Sequence, residues 1–315
     1  MRVLVTGAAG FLGRAFVRYH VSAGDSVLGI DDMSAAHAKR PEQLTDYESY
    51  REVDAAWWME SSAEAAAPFD VVYHFAAPVG GRVTIEGDPL FNADSLRLDS
   101  ILFRWATKYD PGLVVYPSSS AVYGYIKQGM DGQPLPETLF HPRNGVWDAP
   151  DEMYGFTKMA GEVLAWKYAG YGHNVLCIRP FSGYGEEQST DYPVPAICKR
   201  VVVDRENPVT IWGSGDQKRD FVHVSDVVGA TVARSRANVA GYQSMNIGSG
   251  VGTGFQQVAR IAGMTIGVVA TMRYDTTKPE GVLVRVADVT EMQKYYAPRV
   301  GIEQGVAGVA MSVAR

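Results

Sequence analysis

The sequence predicts an α/β protein, a doubly wound parallel sheet with a smaller, discontinuous C-terminal lobe for substrate. Three observations carry this. Short apolar runs alternate with helix-spaced patterns through the first 180 residues, as expected of βαβ units with right-handed crossovers. The runs are near-continuous rather than alternating, as strands buried on both faces require. A glycine cluster falls where the first run gives way to the first helical pattern, the place where such a sheet meets phosphates.

Val3–Val5, Ser26–Ile30, Val71–Phe75, Leu113–Tyr116 and Val175–Ile178 read as the strands. Between them Phe11–Ser22, Ala55–Ala67, Pro89–Tyr109 and Asp151–Ala169 read as helices, the third with Leu90, Ala93, Leu98, Ile101, Leu102 and Trp105 at helical spacing. Beyond Arg179 the pattern loosens, and residues 181–219 are rich in Gly, Pro and Tyr. Phe221–Val224 and Ser244–Ile247 read as strands returning to the sheet around a helix over Val227–Arg236. Thr253–Ala262 then reads as a helix, Val269–Tyr274 as a strand, and a short helix ends the chain. The division expected is a cofactor domain over 1–180, rejoined by 220–248, and a substrate lobe from 181–219 and 249–315. Residues 124–150 show no periodicity and hold four prolines and four glycines; a loop that long in a compact domain is usually functional.

Composition narrows the function classes. Hydrophobic residues make up 46% and charged residues 20% of the 315, which excludes a disordered chain. A net charge of −6 without a basic stripe argues against a nucleic-acid partner. Cys177 and Cys198 are too few for a disulfide framework or a zinc site, so no metal is expected and both read as buried thiols. With no signal pattern before Arg2-Val3-Leu4-Val5 and no apolar run of spanning length, the expectation is a cytoplasmic protein without a membrane partner.

Gly7, Gly10 and Gly13 punctuate the first strand–helix junction. Gly7 permits the tight turn, Gly10 lets the backbone approach a pyrophosphate, and Gly13 allows close helix–strand packing. Asp31 and Asp32 end the second strand; a carboxylate there accepts from a ribose 2′-hydroxyl and repels a 2′-phosphate, which selects NAD over NADP. Ser118-Ser119-Ser120 follow the strand ending at Tyr116, and Tyr154 and Lys158 open a later helix four residues apart, hence on one face. An ammonium so placed stabilises a phenolate and suits the tyrosine to general-base work. Tyr274 and Lys278 have the same spacing but read as a surface strand end.

Gly7-Ala8-Ala9-Gly10-Phe11-Leu12-Gly13, the Ser118–Gly124 run and the Tyr154/Lys158 pair together resemble the extended short-chain dehydrogenase/reductase family, which has a Rossmann fold. His74-Phe75-Ala76-Ala77, Arg179-Pro180-Phe181-Ser182-Gly183-Tyr184-Gly185, Arg219-Asp220-Phe221-Val222-His223 and Asn246-Ile247-Gly248-Ser249-Gly250 are similar to its nucleotide-sugar epimerases and dehydratases, in order, to about residue 290. The resemblance implies Tyr154 as catalytic base and Lys158 as its partner and nicotinamide-ribose ligand. It implies Ser119 as the catalytic hydroxyl, with Ser120 the neighbouring candidate. Asp54 would meet adenine, Phe11, Leu12, Ala76, Ala77 and Pro180 would line the cofactor, Ser182 stands where the family usually has an asparagine touching the sugar phosphate, and Arg219 and Arg285 would hold the diphosphate. A homodimer through two helices per subunit, residues 89–109 and 151–170, is also implied.

Departures from the family choose among its reactions. Members that eliminate water or decarboxylate carry a carboxylate before Val-Tyr-Gly, where this chain has Ser119, Ser120 and Ala121. The cysteine expected of a 3,5-epimerase near Ala121 is also absent, although Val79-Gly80-Gly81 echoes that subgroup. The expectation is therefore C4 epimerisation of an NDP-hexose or NDP-hexuronate with NAD. A dehydratase, decarboxylase or 3,5-epimerase is the alternative within the family. A non-catalytic NAD-binding regulator is the alternative from another class, and the intact Ser119, Tyr154 and Lys158 argue against it.

Overall fold

Val3, Leu4 and Val5 are wholly buried, as a strand covered by helices on both faces demands. They belong to the first element of a computed structural model that describes residues 1–35, 37–44, 49–78, 80, 88, 90–124, 132–144, 148–278 and 281–315. The elements begin β1 (Arg2–Thr6), α1 (Phe11–Ser22), β2 (Ser26–Asp31), β3 (Tyr50–Glu52), α2 (Ala55–Ser61), β4 (Val71–His74), α3 (Asp94–Tyr109), β5 (Val114–Pro117), α4 (Glu152–Ala169) and β6 (Val175–Pro180). They continue with β7 (Ser182–Tyr184), α5 (Pro193–Val202), β8 (Val209–Trp212), β9 (Lys218–His223), α6 (Val224–Arg236), β10 (Tyr242–Ile247) and β11 (Gly252–Gly254). The last are α7 (Phe255–Thr265), β12 (Met272–Asp275), β13 (Val284–Arg285), α8 (Thr290–Gln293) and α9 (Ile302–Val313).

The chain packs into two compact units. The first comprises Met1–Val122, Phe140–Arg179 and Thr231–Met245; the second comprises Tyr123–Leu139, Pro180–Ala230 and Asn246–Arg315. The seven-stranded sheet runs β10-β6-β5-β4-β1-β2-β3, with parallel pairing on both sides of β1. Strand order reverses between β1 and β4, so the crevice outside their carboxyl ends is where a ligand binds in such a sheet. Trp58, Phe69 and Trp105 pack into the core on one side of it.

In the second unit β9 pairs with β11, β13 and β7 in a separate four-stranded sheet. The run Phe221–Val224 is thus extended as expected over Phe221–His223, but it does not return to the large sheet; only β10 does. An apolar run announces burial and says nothing of which strand it pairs with. The core of this unit joins Ile197 and Val201 of α5, Val258 and Ile261 of α7, and Val306 and Val309 of α9.

Helix ends also shift, for local reasons. Ser62 accepts the Glu64 N–H and starts a separate 3-10 turn, Ala63–Ala66, so α2 stops short of Ala67. The third helix starts at Asp94 rather than Pro89, because residues 90–93 form turns, begun by the Leu90 N–H on the Asp88 carboxylate at 3.0 Å. Of the loop 124–150, residues 125–131 and 145–147 lie outside the described residues, as do Val79 and Gly81. Among the described residues no helix is long and apolar enough to cross a membrane.

Candidate functional site

The glycine turn is dictated by space. Gly7 has φ +67°, and a Cβ there would lie 2.5 Å from the Phe75 carbonyl carbon and 2.6 Å from the Ala76 nitrogen. A Cβ on Gly13 would lie 2.0 Å from the Gly7 oxygen. Ala76 is held from below, its N–H donating to Thr6 Oγ1 at 3.3 Å. Glycines therefore bring the turns after β1 and β4 into contact at the switch point, with Ala76 and Ala77 beside them. Gly10 occupies the N-cap of α1 with no side-chain cap, and no acidic residue enters the first turn, leaving that positive helix end for an anion. Phe11 and Leu12 are its first, half-buried residues.

The two aspartates after β2 separate by environment. Asp31 takes the Ala9 N–H at 2.9 Å and the Met33 N–H at 2.8 Å, fixing its carboxylate against the glycine turn, and burial pushes its pKa upward. Asp32 is exposed and spends one oxygen on the Ser34 N–H and hydroxyl at 3.0 and 2.6 Å. Asp31 is thus the carboxylate built into the cradle. Asp54 caps α2 through the Trp57 N–H at 2.7 Å. The N–H groups of the glycine turn and uncapped helix end, as donors, and the fixed carboxylate, as acceptor, are the set that a dinucleotide requires.

The serine turn and α4 are locked together. Asp151 donates its N–H to the Ala121 oxygen at 3.1 Å, and a Cβ on Gly155 would fall 2.5 Å from that same oxygen. Ser119 Oγ accepts the Ala121 N–H at 3.1 Å and stays partly exposed, whereas Ser120 is buried. Of the two hydroxyls, that of Ser119 is the more accessible. Lys158 is buried, with Nζ 5.9 Å from the Tyr154 ring centre and 5.4 Å from that of Tyr116. Tyr154 itself is half-buried. The first unit thus sets the turn that carries Ser119 against the helix that carries Tyr154 and Lys158.

The second unit carries the other expected residues. Arg219 and Arg285 are register partners on β9 and β13. Like charges directly opposite on neighbouring strands repel, so the pair concentrates positive charge at one spot of the sheet. Arg219 also lies 5.7 Å from the Phe255 ring centre and donates to the Lys218 oxygen at 3.0 Å. Ser182 pairs with Phe221, and both it and Pro180 are partly exposed.

Two residues of the quoted runs do more than mark a family. Buried Asp220 accepts from the Ser249 N–H and hydroxyl, both at 2.6 Å, the Gly250 N–H at 2.9 Å and the Ala287 N–H at 3.1 Å. It ties the loop after β10 to the end of β13, the strand that carries Arg285. Asn246 accepts from Tyr123 Oη at 2.5 Å and donates to the Leu135 and Asp288 oxygens at 2.8 and 3.2 Å. With the Leu135 N–H on the Val286 oxygen at 2.9 Å, this stitches part of the long loop to the same strand end. Nothing in the sequence flagged these, because each bond joins residues far apart along the chain. Among the described residues no group of three or more His, Cys, Asp or Glu could hold a metal ion.

The model of the NAD dependent epimerase/dehydratase family matches residues 3–248. The chain belongs to that family. Its cofactor is accordingly NAD, which the cradle of Gly7, Gly10, Gly13 and Asp31 fits. A curated relative, UDP-glucuronate 4-epimerase of Thermodesulfobacterium geofontis, is 27% identical over 96% of this chain and 93% of its own length. Among solved structures, UDP-glucose 4-epimerase of Thermotoga maritima with UDP-glucose superposes with a TM-score of 0.85 at 25% identity, over 99% of this chain and 98% of that one. MoeE5 in complex with UDP-glucuronic acid and NAD gives 0.79 at 29% identity, again over 99% and 98%.

Proposed function

We propose that this protein is an NAD-dependent nucleotide-sugar epimerase acting at C4 of an NDP-hexose or NDP-hexuronate. The observation that carries the reading is the serine turn locked on α4: Ser119 beside a helix that presents Tyr154 and Lys158, with Ser120 and Ala121 where an eliminating relative needs an acid. Tyr154 takes the proton of the sugar 4-hydroxyl while the Lys158 ammonium offsets the developing phenolate. Ser119 holds the same oxygen, and Arg219 and Arg285 hold the diphosphate. NAD, when bound, supplies a reversible two-electron acceptor. The resulting 4-keto sugar gives the epimer when carbon 4 is reduced on its other face, and Tyr154 returns the proton.

Incubation with UDP-glucose or UDP-glucuronate is expected to give a product of unchanged mass and altered C4 configuration. Tyr154→Phe is expected to lose at least about 100-fold in kcat, the usual weight of a general base, while retaining NAD. A product lighter by water or carbon dioxide would replace this reading with elimination or decarboxylation, and an active Tyr154→Phe variant would remove Tyr154 from the chemistry.

A further inference from the structure

Behind Tyr154 and Lys158 the first unit encloses a polar cluster that the reaction above does not use. Asp99 of α3 is 2% exposed, and Tyr116 Oη donates to its Oδ2 at 2.7 Å. Gly161, nearly one turn beyond Lys158 on α4, is glycine for a spatial reason. A Cβ there would lie 1.8 Å from Tyr116 Oη and 2.7 Å from Asp99 Oδ2. The α4 face that carries Lys158 is thus moulded around the Tyr116–Asp99 pair, and Nζ lies 5.4 Å from the centre of the ring that Asp99 anchors. A carboxylate enclosed this far is strongly disfavoured in its charged form unless a countercharge is near.

The neighbours identify that countercharge. From β4, His74 Nε2 lies 3.8 Å from Asp99 Oδ1, but burial holds this imidazole far below its usual range, at about 3, so it is neutral. From β1, Thr6 Oγ1 meets the other His74 nitrogen at 2.9 Å and is uncharged. From β6, Cys177 is a buried thiol that burial keeps protonated. From α4, Glu162 is closed in its own pair with Arg179 at 2.7 Å. Among the described residues, Lys158 is the remaining cation of the cluster. Burial raises Asp99 to about 6, with Lys158 and the Tyr116 hydroxyl pulling the other way, so the carboxylate is charged at neutral pH.

We infer that Asp99 is a positioning residue for Lys158: its buried carboxylate balances the ammonium and holds the Tyr116 ring against it, setting the pH at which Tyr154 gives up its proton. This rests on the Tyr154/Lys158 reading of the site. With Asp99 present, the ammonium is partly neutralised and phenolate formation is opposed. With Asp99→Asn, the shape and the acceptor for Tyr116 remain while the opposing charge is gone.

The test is a tyrosinate ultraviolet titration of NAD-loaded protein, with the Tyr154→Phe spectrum subtracted in each background. Asp99→Asn is expected to move the onset of the Tyr154 signal to lower pH by about one unit, the size of one partly screened charge, and to move the acidic limb of kcat with it. Asp99→Ser, a small neutral residue, should do the same if Asn disturbs packing. An unshifted or absent difference signal in both variants overturns the inference. The titration needs no sugar, so an unshifted onset in an active enzyme leaves the epimerase assignment standing. A shifted onset in a protein that yields no epimer sinks that assignment alone.

Discussion

A methyl group at position 13 would sit 2.0 Å from the Gly7 carbonyl oxygen, a clash no rotamer relieves. That demand is written in the sequence, since glycine at a fixed spacing where a strand becomes a helix has few other reasons to occur. His74 and Asp99 are the opposite case. Each belongs to a run that reads as ordinary strand or helix, and only tertiary packing reveals that both are enclosed. Their protons make a measurable consequence. His74 sits near 3 in the fold against 6.5 when exposed, so unfolding takes up a proton and stability falls as pH drops through 6.5. Asp99 is raised to about 6 from 3.8, so the fold holds a proton that the unfolded chain releases. That contribution is fully present below 3.8 and is lost as pH rises through 6. Between pH 4 and 6 the two slopes oppose each other. His74→Gln removes one of them, and its Tm relative to the parent is expected to rise by about 2–3 °C as pH falls from 6.5 to 4. A constant difference across that range would mean that His74 is already charged in the fold.

Among the elements, β1, β2, β4, β5 and β6 are legible because each is a buried apolar run of four to six residues. β3, β7, β11 and β13 are two or three residues long, too short for any periodicity to register. α5 is masked by Pro193 and Pro195, although proline in a first helical turn costs little. β9 is legible as a strand, but its pairing is not, and the pairing matters most, because it sets Arg219 beside Arg285. The resemblance assigned each arginine singly; their register makes them one cationic pair, cross-braced by Asp220 through Ala287. Arg219→Gln and Arg285→Gln are each expected to weaken binding of a nucleotide sugar by roughly 10- to 100-fold, the weight of a charge-assisted hydrogen bond, with NAD affinity kept. The loss should shrink as ionic strength rises. Calorimetric titration at two salt concentrations checks this, and parental affinity in either variant takes that arginine out of the anion site.

At the scale of the molecule, the family model ends at residue 248, yet the second unit does not. Val306, Val309 and Ala310 of α9 are fully buried in one cluster with α5 and α7. The helix also lies close against β7, since a Cβ on Gly305 would be 2.1 Å from Tyr184 Oη. The sequence shows a terminal helix but not that it is interior, because small residues such as Gly305, Ala307 and Gly308 weaken the apolar stripe while permitting the close approach. Removing residues 301–315 would expose partners of two buried valines, each worth about 2 kcal/mol, together with the rest of that cluster. The sum approaches the roughly 5–15 kcal/mol that separates a folded domain from its unfolded chain. The truncated protein is therefore expected to bind a hydrophobic dye at ambient temperature and to lose its cooperative melting transition. Because the second unit is built from three separate stretches of chain, the damage should not stay at the terminus; binding of nucleotide sugar should vanish with it. A truncated chain that melts at the parental Tm would show that α9 is an accessory to this unit rather than part of its core.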